Sequence, residues 1–457
     1  MGSARARRIP AQLVEDEEYQ LRHERVAGID IAKASAMVCT RLPAVRDGGR
    51  RVSRVGEVPA TVAEAAALAG RLLADGVQAV VMESTSDYWR LWYYVLEAHG
   101  LAVTLVNSSQ ARQLAGRPKT DRLDAQWLAR LAEMGLLRPS FVPPAEIREL
   151  RDYTRGRLHL VHDRTRAWQR LEKLLEGALC KLTSVTSIKT KTARLIIRAI
   201  IAGQRDPRAL AALAEGSLRG RQGDLAQALT GMIISGSFVH MAKTLLDLIA
   251  YLDEDVEILE GKIAACLEAI PAAQGVDDGG ATGPGAGAGP DAAVLPAAER
   301  LAEIPGVSLD LARAIIAEAG LDMTRFRTAA HLVSWAGLAP VASQSGPRSR
   351  KPKKGQGNSY LRGFCTQAAN GAGQTDTFLG ERLRRIARRR GGARARCAVA
   401  RSILIIIWHL LSNPEARYAD LGPDWHARKT DKDKKTRSHL RQLQALGWDV
   451  TLTPRAA

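Results

Sequence analysis

The sequence is short of cysteine, of long apolar runs and of acids. Its five cysteines, Cys39, Cys180, Cys266, Cys365 and Cys397, are scattered with no CxxC pair. That spacing argues against a thiolate zinc site and leaves reduced, structural thiols as the plain reading. No apolar run has the length of a membrane-spanning helix; "SILIIIWHLL" at 402–411 is too short. The opening "MGSARARRIPAQ" lacks the apolar core of a signal peptide, so a cytoplasmic chain is expected. Asp and Glu number 48 against 66 Lys and Arg, for a net charge of +18. This imbalance favours a polyanionic partner, most simply nucleic acid, over a membrane surface.

What is present reads as several domains. The 457 residues are 46% hydrophobic, enough for real cores and too many for one. Residues 1–24 read as a charged leader. From Arg25, "RVAGIDIAKASAMVCTRL" predicts a strand, a turn and a returning strand, and "RVSRVGEVPA" a third. "TVAEAAALAGRLLADG" has helical periodicity and stops at Gly76. "VQAVVMEST" is a continuous apolar run, as in a buried central strand. "SDYWRLWYYVLEAHG" predicts a helix capped by Ser86 or Asp87 and stopped by Gly100. "LAVTLVN" is the next strand, and "TDRLDAQWLARLAEMG" a helix with Thr120 as its N-cap. Together these predict an α/β domain over 25–145.

A helical and coiled-coil region is expected over 146–272. Its first helix, about 146–180, is dense in Arg and His, which suits a nucleic-acid face or the solvated face of a bundle equally. Leu245, Ile249, Leu252, Val256, Leu259, Ile263, Cys266 and Ile270 alternate steps of four and three. Such a seam serves a coiled coil with another chain, or a helix packed inside its own chain. A Gly/Ala/Pro linker, 273–296, includes "GVDDGGATGPGAGAGPDAA" and has no means of forming a core. A helical C-terminal domain is expected over 297–412, followed by a basic tail, 413–457. That domain opens with "LAEIPGVSLDLARAIIAEAG", a helix, a Pro-Gly turn and a second helix. This resembles a helix-hairpin-helix, whose turn amides can hold a phosphate; an ordinary helical hairpin is the plainer alternative.

Four acids form the sharpest pattern. Asp30 lies in the first strand ("GIDIAK"), Glu83 ends the central strand ("VVMEST"), and Asp121 and Asp124 share a helix face in "KTDRLDAQWLA". Singly they are bland: Asp30 suits a turn, and Asp121 a helix N-terminus. In this order, inside a ribonuclease-H-like α/β domain, they can converge. Hard oxygen ligands without His or Cys suit Mg²⁺ or Mn²⁺, and such ions can clamp both oxygens of a phosphodiester exchange. A sugar-kinase-like fold also opens "GID", but it needs Gly-rich phosphate loops in two lobes, and the sequence has none.

These motifs, with "LRDYTRGRLHLVHDRTRAWQRLEKLL", "FRTAAHLVSWAGLAPVASQSG" and "KGQGNSYLRGFCTQAA", resemble those of the DEDD-type insertion-sequence transposases of the IS110 family. The resemblance covers about 25–180 and 297–410. It implies a RuvC-like N-terminal domain with Asp30, Glu83, Asp121 and Asp124 as metal residues. It also implies breakage and rejoining of donor and target DNA, guided by a noncoding bridge RNA that pairs with both. A serine of the C-terminal domain is implied to form a covalent phosphoserine with a DNA end. The implied assembly is a homo-oligomer, a dimer or a tetramer, in which one subunit's acidic domain meets another's serine domain. That serine precedes a glycine shortly after "GLxP", which selects Ser345, with Ser343 in reserve. Two departures from the family pattern stand out: the insertion at 275–293, and a more basic, Pro-broken "PRSRKPKKGQG".

Spacing alone makes Ser345 a turn residue in a solvated basic loop, and the resemblance reverses that. A serine nucleophile needs activation, and its phosphate needs donors. Arg348, Arg350, Lys351, Lys353, Lys354, Asn358 and Arg362 lie close in sequence for that purpose. "ERLRRIARRRGGARAR" at 381–396 is a second basic run, expected to track nucleic-acid phosphates. Trp335, Trp408, Trp425 and Trp448 could stack bases, with core packing the plainer role for the first two. Two rival readings are a RuvC-like metal-dependent junction nuclease with a non-catalytic C-terminal DNA-binding domain, and a binding protein that has lost catalysis. The presence of all four acids and the serine argues against the second.

Overall fold

The computed structural model describes residues 11–14, 21–44, 51–84, 86–107, 120–137, 139–274, 295–341, 344–345, 348–349, 353–354, 357–428 and 432–451. The chain divides into two compact units, Met1–Val142 and Pro143–Ala457.

The first unit is built on a mixed six-stranded sheet. Its strands are β1 (Ala11–Val14), β2 (Val26–Ile31), β3 (Ser35–Pro43), β4 (Arg51–Pro59), β5 (Ala79–Glu83) and β6 (Val103–Val106), in the order β1-β4-β3-β2-β5-β6. β1, β4, β3 and β2 pair antiparallel, while β2, β5 and β6 pair parallel. α1 (Val62–Ala74) leads from β4 into β5, α2 (Trp89–Ala98) joins the parallel β5 and β6, and α3 (Asp121–Met134) follows. This is the α/β domain expected from the alternation, built on a mixed sheet. The leader adds an edge strand: "AQLV" forms β1 against β4, too short a run to announce itself.

The strands are apolar on both faces because both faces are covered. Ala27, Ile29, Val80 and Met82 pack with Leu68, Leu72, Trp92 and Leu96 of α1 and α2. Val26, Cys39, Val81 and Val106 pack with Ala125, Leu128, Ala129 and Ala132 of α3. Thr120 caps α3 as expected, accepting from the Leu123 N–H at 3.3 Å. The expected Ser86 or Asp87 cap on α2 is not formed. Ser86 has φ of 48°, in the left-handed region, so these residues make the turn out of β5 and Tyr88 becomes the cap position. At its far end α3 is pinned by a buried carboxylate. Glu133 accepts from Arg41 Nε at 2.9 Å and Arg51 Nε at 3.1 Å, and all three side chains are buried.

The second unit is mostly helical. Its helices are α4 (Ala145–Gly177), α5 (Lys191–Ile201), α6 (Pro207–Ala211), α7 (Gln222–Leu229), α8 (Gly236–Glu268), α9 (Pro271–Gln274), α10 (Ala297–Ala302), α11 (Leu309–Ala319), α12 (Ala329–Trp335), α13 (Ser359–Ala372), α14 (Phe378–Arg390), α15 (Gly392–Ser412), α16 (Trp425–Arg428) and α17 (Lys432–Ala445). α4 and α8 are each 33 residues and lie antiparallel, tied by Arg157–Glu260 and Arg164–Asp253. Most of the seam read from the sequence is buried within the chain: Leu245, Ile249, Leu252, Val256, Ile263 and Ile270 are covered, Leu259 and Cys266 are half-buried, and α4 is the neighbour of α8. Four arginines of α4 are spent inside the protein: Arg151 and Arg155 on Glu318, Arg157 on Glu260 and Asp310, Arg164 on Asp253. α10 and α11 form the expected hairpin. Gly306 in its turn has φ of 85°, and a Cβ there would lie 2.2 Å from the Ala368 carbonyl oxygen of α13.

α15 revises the membrane expectation on length. It runs 21 residues and is long and apolar enough, by length and composition, to cross a membrane. Its Val399, Ile403, Leu404 and Ile407 are buried, and it packs against α12, α13 and α14. Trp408 also serves packing, donating Nε1–H to the Phe326 carbonyl at 2.9 Å. Trp335 lies tilted on the Phe326 ring.

Candidate acidic site and serine ribbon

The sheet register brings two of the acids together. β2 and β5 pair parallel with Ile29 opposite Met82, so Asp30 and Glu83 are the next residues along on neighbouring strands. Side chains alternate along a strand. Asp30 therefore shares its face with Val26 and Gly28, and Glu83 shares its face with Val81. That face is the one α3 covers. On α3, Ala125 and Leu128 are buried against the sheet. Asp121 and Asp124 stand four residues before them on the same stripe. The contact is close because Gly28 has no side chain: a Cβ there would lie 2.4 Å from the Ala125 carbonyl oxygen and 2.4 Å from the Ala129 nitrogen. α3 thus lies directly on the β2 backbone, two residues from Asp30.

The electrostatics report the convergence. The Asp30 carboxyl is pushed up from 3.8 to about 6. Burial is the largest cause, followed by the negative charges of Asp124, Glu83 and Asp121, and a backbone hydrogen bond from Ile31 opposes the rise. All four acids therefore act on one neighbourhood. Among the described residues, no three His, Cys, Asp or Glu side chains close into a ready-made ion cage. The donor set is still that of a hard divalent cation: clustered carboxylates whose mutual repulsion a 2+ charge relieves.

Ser345 lies in the second unit, in a small ribbon described through its backbone. β7 (Pro340–Val341) pairs antiparallel with β10 (Lys353–Lys354), and β8 (Gln344–Ser345) with β9 (Arg348–Ser349). Ser345 is the Cα partner of Arg348. Ser343, Arg350 and Lys351 lie outside the described residues. Arg362 follows half-buried on the first turn of α13.

Asn358, expected to face nucleic acid, turns inward. Its Oδ1 accepts from the Leu361 N–H at 3.0 Å as the N-cap of α13, and its Nδ2 donates to Glu318 Oε2 at 2.6 Å. Its backbone N–H reaches the Trp335 carbonyl at 3.1 Å, fixing one foot of the ribbon to the end of α12. Glu318 is 0% exposed. It is gripped by a two-pronged Arg155 fork, Nε to Oε1 at 2.7 Å and Nη2 to Oε2 at 2.9 Å. Arg155 lies over the Tyr360 ring at 4.2 Å, and the Tyr360 hydroxyl meets His159 Nε2 at 3.1 Å. Glu318 and Arg155 were missed in the sequence. The one signal was an acid in the middle of the apolar run "ARAIIAEAG".

A family model for transposases of the DEDD IS110 type matches residues 27–179, and one for transposases of the IS116/IS110/IS902 family matches residues 298–377. Together they cover just over half of the chain. The protein is a transposase by class, and it belongs to the IS110 family. Membership implies an enzyme that cuts and rejoins DNA. Among solved structures, RuvC of Thermus thermophilus matches over 25% of this chain and 99% of its own, at 14% identity and a TM-score of 0.21. Comparison with curated proteins found no match.

Proposed function

We propose that the chain is a cytoplasmic, metal-dependent transposase that cuts and rejoins the DNA of its insertion sequence through a serine intermediate. Asp30, Glu83, Asp121 and Asp124 hold Mg²⁺ or Mn²⁺, and Ser345 is the nucleophile. A noncoding bridge RNA pairs with donor and target DNA, and the working form is a homo-oligomer, dimer or tetramer. The observation that carries this reading is the elevated Asp30 carboxyl, raised by burial and by the other three acids of the family motif.

When bound, the cation supplies positive charge to the phosphodiester oxygens. The chain's residues do the rest. Ser345 Oγ attacks phosphorus, forming a Ser–O–P bond as the bond to one strand breaks; the departing oxygen takes a proton. A DNA hydroxyl then displaces the serine and closes the new strand, so the energy of the phosphodiester is kept throughout. Arg348, Arg350, Lys351, Lys353, Lys354 and Arg362 receive the charge on the non-bridging oxygens. Asn358 holds the ribbon's foot in place.

The test is strand exchange in Mg²⁺, with covalent protein–DNA adducts trapped on a denaturing gel. The wild type should form an adduct, and Ser345→Ala should lose both adduct and exchange. An adduct persisting in Ser345→Ala overturns the nucleophile; cleavage with no adduct in any variant favours the metal-dependent junction nuclease. Exchange that survives Asp121→Ala with Asp124→Ala overturns the metal site, and exchange indifferent to ribonuclease treatment overturns the RNA guide.

A further inference from the structure

α14 carries arginines in two contrasting settings. Arg384 and Arg388 are answered by acids: Arg384 reaches Glu381 at 3.2 Å and Asp376 at 3.3 Å, and Arg388 reaches Glu381 at 3.7 Å. Arg382 and Arg385, three residues apart on another stripe, are not. The Nε of each is buried with no hydrogen-bond partner among the described residues. Burial pulls the Arg382 guanidinium below its usual range, and the like charges of Arg385 and Arg401, from α15, pull it further. His426 of α16 joins them, with Arg385 Nη2 at 3.5 Å from its Nε2. Burial, Arg385 and Arg382 lower the His426 imidazole, and Glu381 opposes them. Phe378, one turn before Arg382, stacks on His426 at 5.0 Å and meets Trp425 edge-on at 5.1 Å.

Three guanidiniums drawn together repel one another, the neutral His426 ring accepts from only one of their donors, and the two buried Nε donors without an acceptor add a desolvation cost. The arrangement becomes favourable when an anion with several acceptor oxygens enters. The cations also continue along the chain: Arg389, Arg390, Arg394 and Arg396 are exposed beyond the cluster. A line of charge fits a polymer of phosphates better than a single free ion. We propose that Arg382, Arg385, Arg401 and His426 form a phosphate-binding site for a nucleic-acid backbone, flanked by the Phe378–Trp425 aromatic pair. The site is independent of the serine chemistry. Its chemistry is that of the phosphodiester, which DNA and RNA share.

The experiment measures binding by the full chain across a salt series, with two probes: a random-sequence DNA duplex and a structured RNA hairpin. Arg382→Gln with Arg385→Gln should weaken binding by about tenfold or more and lower the DNA salt slope by roughly 2. Arg208→Gln with Arg219→Gln removes the same charge from exposed positions outside this basic run and should cost less than about threefold. Arg382→Lys with Arg385→Lys should keep the salt slope and lose affinity, because charge remains while the planar fork is gone. The Gln double variant should melt no lower than the parent, since repulsion is relieved; a structural role predicts the opposite. Loss confined to one probe assigns the site to that polymer, and loss with both assigns it to the shared backbone. Equal losses in the two Gln double variants, or weaker binding matched by a lower melting temperature, overturn the site.

Discussion

Replacing Gly28 by Ala should separate the two halves of the acidic site. The new methyl would sit 2.4 Å from the Ala125 carbonyl oxygen and from the Ala129 nitrogen, whereas ordinary contact begins at 3.4 Å. Both atoms are helix backbone, so neither can swing aside, and α3 must retreat bodily by about 1 Å. Overpacking of this kind costs about 1–3 kcal/mol, and two backbone contacts put it near the upper end. A loss of that size leaves an ordinary domain folded, with a melting temperature lower by roughly 10 °C. Activity should suffer more than stability. Asp121 and Asp124 ride on α3, so the retreat carries them from Asp30 and Glu83, and a 1 Å misplacement can cost roughly 100-fold in rate. The assays are thermal melting and the strand-exchange rate at saturating Mg²⁺. A Gly28→Ala protein with an unchanged melt and an unchanged rate would refute the claim that β2 and α3 meet backbone to backbone.

Two further outcomes follow from buried or crowded charges. Glu318→Ala removes the carboxylate that grips the Arg155 fork and the acceptor of Asn358 Nδ2, so denaturant unfolding of the second unit should lose about 3–5 kcal/mol; a loss below about 1 kcal/mol would show that the network carries little. The Asp30 carboxyl binds its proton more tightly in the fold than its ordinary 3.8 allows, up to about 6. Its contribution to stability is therefore complete below about pH 4 and is lost as pH rises through 6. Chelator-treated protein should melt progressively lower across that window, and Asp30→Asn should flatten the trend. Because proton and cation compete for the site, added Mg²⁺ should raise the melt more at pH 7.5 than at pH 5. Equal Mg²⁺ shifts at both values would count against a shared site.

The first unit was legible because its signals are local. Alternation marked β2 and β3, an unbroken apolar run marked β5, and Thr120 announced α3. Once those strands pair in register, Asp30 and Glu83 must be neighbours, so the acidic site followed from the same pattern. The second unit hid its logic in distant partners. The arginines of α4 read equally as a nucleic-acid face or a solvated one because Glu260, Asp253 and Glu318, which answer Arg157, Arg164 and Arg155, lie some 90 to 160 residues away. Asn358 misled for the same reason, since its acceptor is Glu318, 40 residues upstream. The cap on α2 failed for a different reason: a left-handed Ser86 depends on how tightly the chain must leave β5, which propensity does not record. α15 was underestimated because arginines at its start broke the apolar run while the helix itself continued.

The pairing of α4 with α8 has a mechanical consequence. At 1.5 Å per residue, 33 residues measure about 50 Å. Neither helix contains proline, the usual cause of a sharp bend, and two ion pairs two turns apart tie them together near their middles. Such a pair has no built-in hinge at which to bend sharply. Laid beside B-form DNA, its length corresponds to about one and a half turns of the double helix.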